Sequence, residues 1–488
     1  MRRNLAAMAA MGVIASALAA VPAEAEPATQ VAWGACPKDV VAAAAPSPLD
    51  CATVPVPVDY ADPASGKIDI VISRLASKNP SKRRGVLLLN PGGPGGPGLA
   101  YPGFLVARGL PASVQDSYDL IGMDTRGIGH SAPVSCGFTT NGPYRGNVPP
   151  YAVDDAAVVK QAEVVKGVAE KCAKNDGKGH LRHLTTANTA RDLDRIRSAL
   201  GEKKTNFLGY SYGSSLGAAY ASMFPERSDR IVLDSNYGDT HLDSDDMRRY
   251  ALGMEQTFPA FAKWVAKRHD SYGLGRTPEE VRATYFKIAE RLDKEPIPGG
   301  DGGTFRAATF AALYTESQYA PTAQLWQSLL TGGQPAIPPS QPGPSPFDNT
   351  WTVFLAVTCN DVDWPEDVKT YRRAVAQDRE QYPLYGAAAA NITPCAYWPH
   401  EPAEAPVKIT DEGPTNILLV QNKRDIPTPH RGAEMLREKL GNRARLVSVD
   451  ASGHGAYVIG GNACAWNITT SYLVDGKIPT RDASCRAS

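Results

Sequence analysis

Six short apolar runs, at residues 86–90, 120–124, 206–210, 230–234, 416–420 and 446–449, are separated by stretches of helical periodicity. Strands joined by crossovers of a dozen residues or more pair in parallel, and strands covered on both faces lose the polar half of their alternation. The pattern therefore predicts an α/β fold with a mostly parallel sheet. The rhythm stops between residues 234 and 416. There Met247, Tyr250, Ala251, Met254, Phe258, Phe261 and Val265 recur at three- to four-residue spacing, the stripe of an amphipathic helix, and a Pro/Gly-rich loop follows at 332–346. We read a core formed by residues 26–240 and 400–488, with a large, mainly helical cap inserted at 241–399.

The 51 basic residues balance the 51 acidic ones, so the chain of 488 residues offers no basic stripe for a nucleic-acid backbone. Residues 1–25 read as a signal peptide: Arg2 and Arg3, an apolar run from Leu5 to Ala20, then Ala23-Glu24-Ala25 as a cleavage site. That run is shorter than the ~20 apolar residues that span a bilayer, which favours a secreted, extracellular protein over an anchored one. The eight cysteines show no CxxC or Cys/His spacing of a zinc site. An even number in an exported chain implies disulfides, and of the roughly 105 pairings that eight cysteines allow the simplest joins neighbours. This predicts Cys36–Cys51, Cys136–Cys172, Cys359–Cys395 and Cys464–Cys485.

Gly209-Tyr210-Ser211-Tyr212-Gly213 fits G-x-S-x-G, a turn in which glycines let a serine sit strained between a strand and a helix. Gly213-Ser214-Ser215-Leu216-Gly217 fits as well. Ser211 directly follows an apolar run, whereas Ser215 falls one turn inside the helix that follows, where a small residue serves close packing. Ser211 is thus the candidate nucleophile. After the run at 86–90 comes Asn90-Pro91-Gly92-Gly93-Pro94-Gly95-Gly96-Pro97-Gly98, whose glycines would let backbone N–H groups approach an oxyanion. Gly93, with Gly92 as the alternative, and Tyr212, the residue after the nucleophile, are the expected donors.

A serine hydroxyl needs a histidine to take its proton and a carboxylate to hold that histidine. The run at 416–420 leads to Asp425, with Thr428-Pro429 as an expected N-cap and first helical residue; the run at 446–449 leads to Ser452-Gly453-His454-Gly455, a histidine on a flexible exposed turn. The order Ser211, Asp425, His454 is that of α/β hydrolases. Asp234, directly after the run at 230–234, is the rival acid, while His430 falls in the first turn of the following helix. Such chemistry calls for no metal and no organic cofactor.

Together these residues resemble the α/β-hydrolase fold, and more narrowly the proline iminopeptidase and secreted actinobacterial tripeptidyl aminopeptidase group of serine peptidases. The resemblance rests on Asn90 to Gly95, similar to an HGGPG-type loop; on Asp124-Thr125-Arg126-Gly127-Ile128-Gly129-His130-Ser131, similar to a D-x-R-G-x-G-x-S segment; on the elbow; and on Asp425 to Pro429 with Gly453-His454-Gly455. Asn90 stands where the iminopeptidases carry His, which argues against proline-specific release. The resemblance implies a secreted serine exopeptidase that releases short peptides, tripeptides among them, from free N-termini through an acyl-enzyme. A secreted esterase or lipase using the same triad is the alternative. Within the segment 124–131, Asp124 and Arg126 are expected to form a buried ion pair that braces the active-site loops. An exopeptidase must also recognise an α-amine, for which Asp361, beside Cys359 in the cap, is the candidate substrate-binding carboxylate and Asp363 the alternate.

Overall fold

In the computed structural model, residues 31–333 and 342–487 are described. The expected signal segment and residues 334–341 of the Pro/Gly-rich loop lie outside them. Ten strands, β1 (Gly34–Ala35), β2 (Asp50–Pro57), β3 (Lys67–Leu75), β4 (Val86–Asn90), β5 (Asp119–Met123), β6 (Thr205–Tyr210), β7 (Ser228–Asp234), β8 (Ile417–Arg424), β9 (Ala444–Ser452) and β10 (Ala483–Cys485), form one sheet in the order β1-β2-β3-β5-β4-β6-β7-β8-β9-β10. From β5 to β10 neighbouring strands are parallel; β1, β2 and β3 join antiparallel at the other side.

Side chains alternate across this sheet into two cores. Leu88, Phe207, Ile231 and Leu419 enter one, while Leu87, Leu89, Leu208, Val232, Leu418, Val420, Val447 and Val449 enter the other. Both faces are dry, so the central strands read as continuous apolar runs, and β4 and β6 are buried at every residue. All six expected strands are present, most of them longer than the apolar run suggested. β2 and β3 were not expected. They alternate buried with exposed residues, and Pro55 and Pro57 interrupt the apolar pattern of β2.

Between β7 and β8 every named element among the described residues is helical. The expected stripe is the buried face of Ser244–Ala266. It packs an aromatic core with Pro278–Lys294, Gly302–Ala312 and Tyr319–Leu330, in which Phe258, Phe261, Tyr285 and Phe305 lie 5.2–6.1 Å from Trp326, ring centre to ring centre. These rings are continuous with the core on one face of the sheet, so the insert packs onto it. All four disulfides join the neighbouring cysteines expected from sequence.

One expectation is overturned. Arg126 pairs with Asp192 through Nε (2.7 Å) and Nη2 (2.7 Å), and also donates to the carbonyls of Pro57, Val58 and His183. Asp124 instead accepts the backbone N–H groups of Gly98 (2.8 Å), Leu99 (3.3 Å) and His130 (2.9 Å). Alternate positions just past a strand end did not make the two residues partners, because the Asp124 carboxylate turned to backbone N–H donors of two loops.

Candidate active site

β6 delivers Ser211 to the edge of the sheet at φ 57° and ψ −123°, as the residue that caps helix Tyr212–Met223. A non-glycine residue in this region is strained, and the surroundings hold it there. Ser211 N–H donates to the Asp234 carbonyl (2.9 Å), and its own carbonyl accepts from Ser214 N–H (2.8 Å) and Ser214 Oγ (2.6 Å). Glycine at 209 and 213 is a matter of space: a Cβ on Gly209 would run into the Gly213 carbonyl, and one on Gly213 would sit 2.9 Å from Asn90 Oδ1. Ser215 lies inside the helix, 1% exposed, its hydroxyl without a partner. Of the two overlapping motifs, only the first forms an elbow.

The loop after β4 lies directly against that elbow. A Cβ on Gly92 would be 2.5 Å from the Tyr210 carbonyl and 2.9 Å from Ser211 Cβ, so only glycine allows the approach. Asn90 Oδ1 accepts Gly92 N–H at 2.9 Å. That donor is occupied, whereas the N–H groups of Gly93 and Tyr212 donate to no other group among the described residues. Between the two sequence candidates in the loop, the hydrogen bonding therefore favours Gly93.

Asp425 follows β8 and is fully buried. His454 Nδ1 stands 3.0 Å from Asp425 Oδ1 and 3.1 Å from Oδ2. Thr428 N–H donates to Asp425 Oδ1 (3.2 Å), and the Thr428 hydroxyl lies 3.3 Å from His454 Nδ1. The expected N-cap role of Thr428 is not what forms: the helix is His430–Leu440, and Pro429 precedes it as cap. Burial pushes the His454 imidazole down, but the charge and hydrogen bond of Asp425 outweigh it and leave the ring above its ordinary value.

The histidine turn is not the flexible element expected from its glycines. Gly453 N–H donates to the Arg424 carbonyl (2.9 Å), His454 N–H to the Tyr314 carbonyl (2.8 Å) and Gly455 N–H to Ser235 Oγ (2.9 Å). The rival acid, Asp234, accepts Ala456 N–H (2.9 Å), Tyr457 N–H (2.7 Å) and the Ser235 hydroxyl (3.0 Å). Burial raises its carboxyl to about 7 despite these donors. His430 lies away from the pair, with Nε2 2.7 Å from Ser448 Oγ.

Asp361, the expected amine-binding carboxylate, lies at the end of helix Asp348–Asp361. Oδ1 accepts Thr186 N–H (2.7 Å) and Oδ2 the Thr186 hydroxyl (2.6 Å), which in turn lies 2.9 Å from the Tyr212 hydroxyl. The cavity beside it has a volume of about 10 Å³, room for a water and not for a peptide terminus. Burial raises this carboxyl, too, to about 7. Asp363, the alternate, is exposed near Glu401. Among the described residues no group of three or more His, Cys, Asp or Glu could hold a metal ion.

Sequence reasoning did not name the residues through which the insert reaches the site. The Tyr314 ring stands edge-on to His454 at 5.3 Å, and a Cβ on Gly95 of the glycine loop would sit 2.8 Å from the Thr350 carbonyl and 3.1 Å from Val353 Cβ. Tyr237, just past β7, places its hydroxyl 3.5 Å from the Gly93 carbonyl and 3.2 Å from the Tyr250 hydroxyl. None of these residues belongs to a short motif; they converge only through the packing of the insert on the sheet.

Comparison with known proteins agrees with this geometry. Residues 382–485, which include Asp425 and His454, match the family described as TAP-like protein. The tripeptidyl aminopeptidase of Streptomyces lividans is 34% identical over 460 residues, covering 90% of this chain and 84% of that one. Serine protease Hip1 of Mycobacterium tuberculosis is 27% identical over 93% of this chain and 91% of its own, and carboxylesterase B of the same organism 27% identical over 94% and 90%. Sheet order, elbow and relatives together make this chain a member of the tripeptidyl aminopeptidase family of α/β-hydrolase-fold serine hydrolases.

Proposed function

We propose that the protein is a secreted serine exopeptidase that removes short peptides, tripeptides in particular, from free N-termini. The observation that carries the catalytic part is the double contact of Asp425 with His454 Nδ1 beside a serine held at a strained elbow. Nδ1 facing the carboxylate leaves Nε2 to serve as base. Ser211 attacks the substrate carbonyl while His454 takes its proton; Gly93 and Tyr212 N–H groups receive the oxyanion. The protonated His454 then gives its proton to the leaving amine. Water, deprotonated by His454, releases the acyl group from Ser211. Asp425 keeps the ring in the required tautomer and balances its transient charge.

The division into a core at 26–240 and 400–488 and a cap at 241–399 belongs to the same proposal. The insert touches both His454 and the glycine loop, which supports a cleft that admits chain ends and excludes folded chains. Four disulfides suit an oxidising compartment, and no described helix is long and apolar enough to cross a membrane; both fit with export directed by residues 1–25. The relative described as a carboxylesterase keeps an esterase as the second reading.

Matched di- and tripeptide anilides, free and N-acetylated, separate the two with wild type and Ser211→Ala. We expect turnover of free-amine tripeptides alone, lost in the variant. Equal turnover of acetylated peptides, or of simple esters only, would overturn the exopeptidase reading and leave an esterase.

A further inference from the structure

Tyr237 is buried, and its main chain is tied to the nucleophile helix and to the insert. Its N–H lies 3.4 Å from Ser214 Oγ, and its carbonyl accepts from Arg249 Nη2 at 3.2 Å. The ring is thereby directed at the place where Ser211 and the glycine loop meet. Its hydroxyl has two hydrogen-bonding neighbours: the Tyr250 hydroxyl at 3.2 Å and the carbonyl of Gly93, in the loop that packs on Ser211, at 3.5 Å.

The proton count at this spot is informative. Each phenol has a single O–H, and among the described residues the Tyr250 hydroxyl meets no acceptor other than Tyr237. Tyr250 therefore donates to Tyr237. The Tyr237 proton is left with the Gly93 carbonyl, at the outer limit of a hydrogen bond. A buried donor that has no strong acceptor in the resting protein, beside the glycine loop whose Gly93 N–H is a proposed oxyanion donor, is arranged as preorganised oxyanion sites are. Burial also holds the Tyr237 phenol above its ordinary range, so it keeps its proton at any working pH.

We propose that Tyr237 is a further catalytic residue, whose hydroxyl donates a hydrogen bond to the tetrahedral intermediate formed on Ser211, alongside the N–H groups of Gly93 and Tyr212. No proton is transferred; the O–H exchanges a long contact to the Gly93 carbonyl for a short one to the developing charge. Tyr250 aligns it as a positioning residue. This inference rests on the serine-hydrolase mechanism proposed above.

The test compares Tyr237→Phe, Tyr250→Phe and Ser211→Ala with the wild type, using a peptide anilide and the rate of covalent labelling by an activated phosphonate, whose adduct mimics the tetrahedral intermediate. For Tyr237→Phe we expect kcat to fall about 10- to 100-fold with KM within about twofold, and labelling to slow by a similar factor. Tyr250→Phe leaves the catalytic hydroxyl in place and should retain about a third or more of the wild-type kcat. Equal losses in both Phe variants would assign the pair to packing and overturn the proposal. So would a Tyr237→Phe enzyme with wild-type kcat, provided Ser211→Ala is inactive. A Ser211→Ala protein that still turned over substrate would sink the underlying mechanism instead.

Discussion

Asp234 and Asp425 stand at the ends of adjacent strands, β7 and β8, and both are fully buried. Both serve the same histidine turn. Yet one holds the imidazole ring of His454, and the other holds the main chain just beyond it, at Ala456 and Tyr457. The difference lies in what each carboxylate meets. Asp425 faces one ring nitrogen, with Thr428 N–H as an added donor; Asp234 faces two backbone N–H groups and a serine hydroxyl. Position at a strand end therefore does not define a catalytic acid. The polar groups that the returning loop turns toward it do.

The comparison is broken most directly by Asp425→Asn. The amide keeps the shape but offers Nδ1 a competing donor, so the tautomer needed for proton abstraction is lost. We expect kcat to fall by about 10⁴-fold with the fold intact. The pH profile sharpens this. In the proposed mechanism neutral His454 is the active form, so wild-type activity should be lost as pH falls through a histidine value held above the ordinary 6.5. Without the Asp425 charge that acid limb should move to lower pH. An unmoved limb would show that another group sets it.

Asp234→Asn should act the other way round, on stability more than on chemistry. One of the two backbone donors at Ala456 and Tyr457 loses its acceptor, at a cost of about 1–3 kcal/mol measured by urea unfolding. The pH dependence follows from the raised carboxyl. A value of about 7 in the fold against the ordinary 3.8 means the folded state holds its proton more tightly. The stabilisation is complete below about 4 and is lost as pH rises through 7. The gap between wild type and Asp234→Asn should therefore be widest near pH 4 and narrow toward pH 8. A gap that widened toward high pH would mean that the charged form is the one the fold prefers.

How much of this was legible in the chain follows the range of the interactions. Ser211, Asp425 and His454 each follow an apolar run and carry turn residues beside them, so a local pattern placed all three. The disulfides joined cysteines close in sequence. What escaped depended on distant segments. Asp124 and Arg126 looked like partners from their spacing, but Arg126 found Asp192, 66 residues away. Strands β2 and β3 escaped because an outer antiparallel pair keeps polar residues on one face. The glycines around His454 suggested mobility, and only the tertiary hydrogen bonds that this turn donates to Arg424, Ser235 and Asp234 show otherwise.

A smaller effect is expected at Asp361. It is a third buried carboxylate, raised like Asp234, and its oxygens are taken by Thr186. If it recognised the substrate's α-amine, Asp361→Asn would abolish the preference for free over acetylated N-termini. The placement predicts that the preference survives while the overall rate falls modestly, by less than about tenfold, because the tie through Thr186 to Tyr212 is loosened. Loss of the preference in a folded Asp361→Asn protein would restore the amine-binding assignment.

The smallest effect should come from Ser215, which extends the lesson of the two aspartates from carboxylates to hydroxyls. Ser211 and Ser215 both sit in G-x-S-x-G, four residues apart, and sequence alone gives each the same flanking glycines. Ser211 has the strained backbone and the glycine loop against its Cβ. Ser215 has a helical backbone and a buried hydroxyl with no partner. Ser215→Ala removes that unpaired polar atom without opening a cavity larger than an oxygen. Burying a hydroxyl without a hydrogen bond costs about 1–3 kcal/mol, so the alanine should be as stable as the wild type or more so. Its kcat/KM should stay within about twofold of the wild type. An inactive but folded Ser215→Ala protein would mean that motif position, and not the groups facing the side chain, selects the nucleophile.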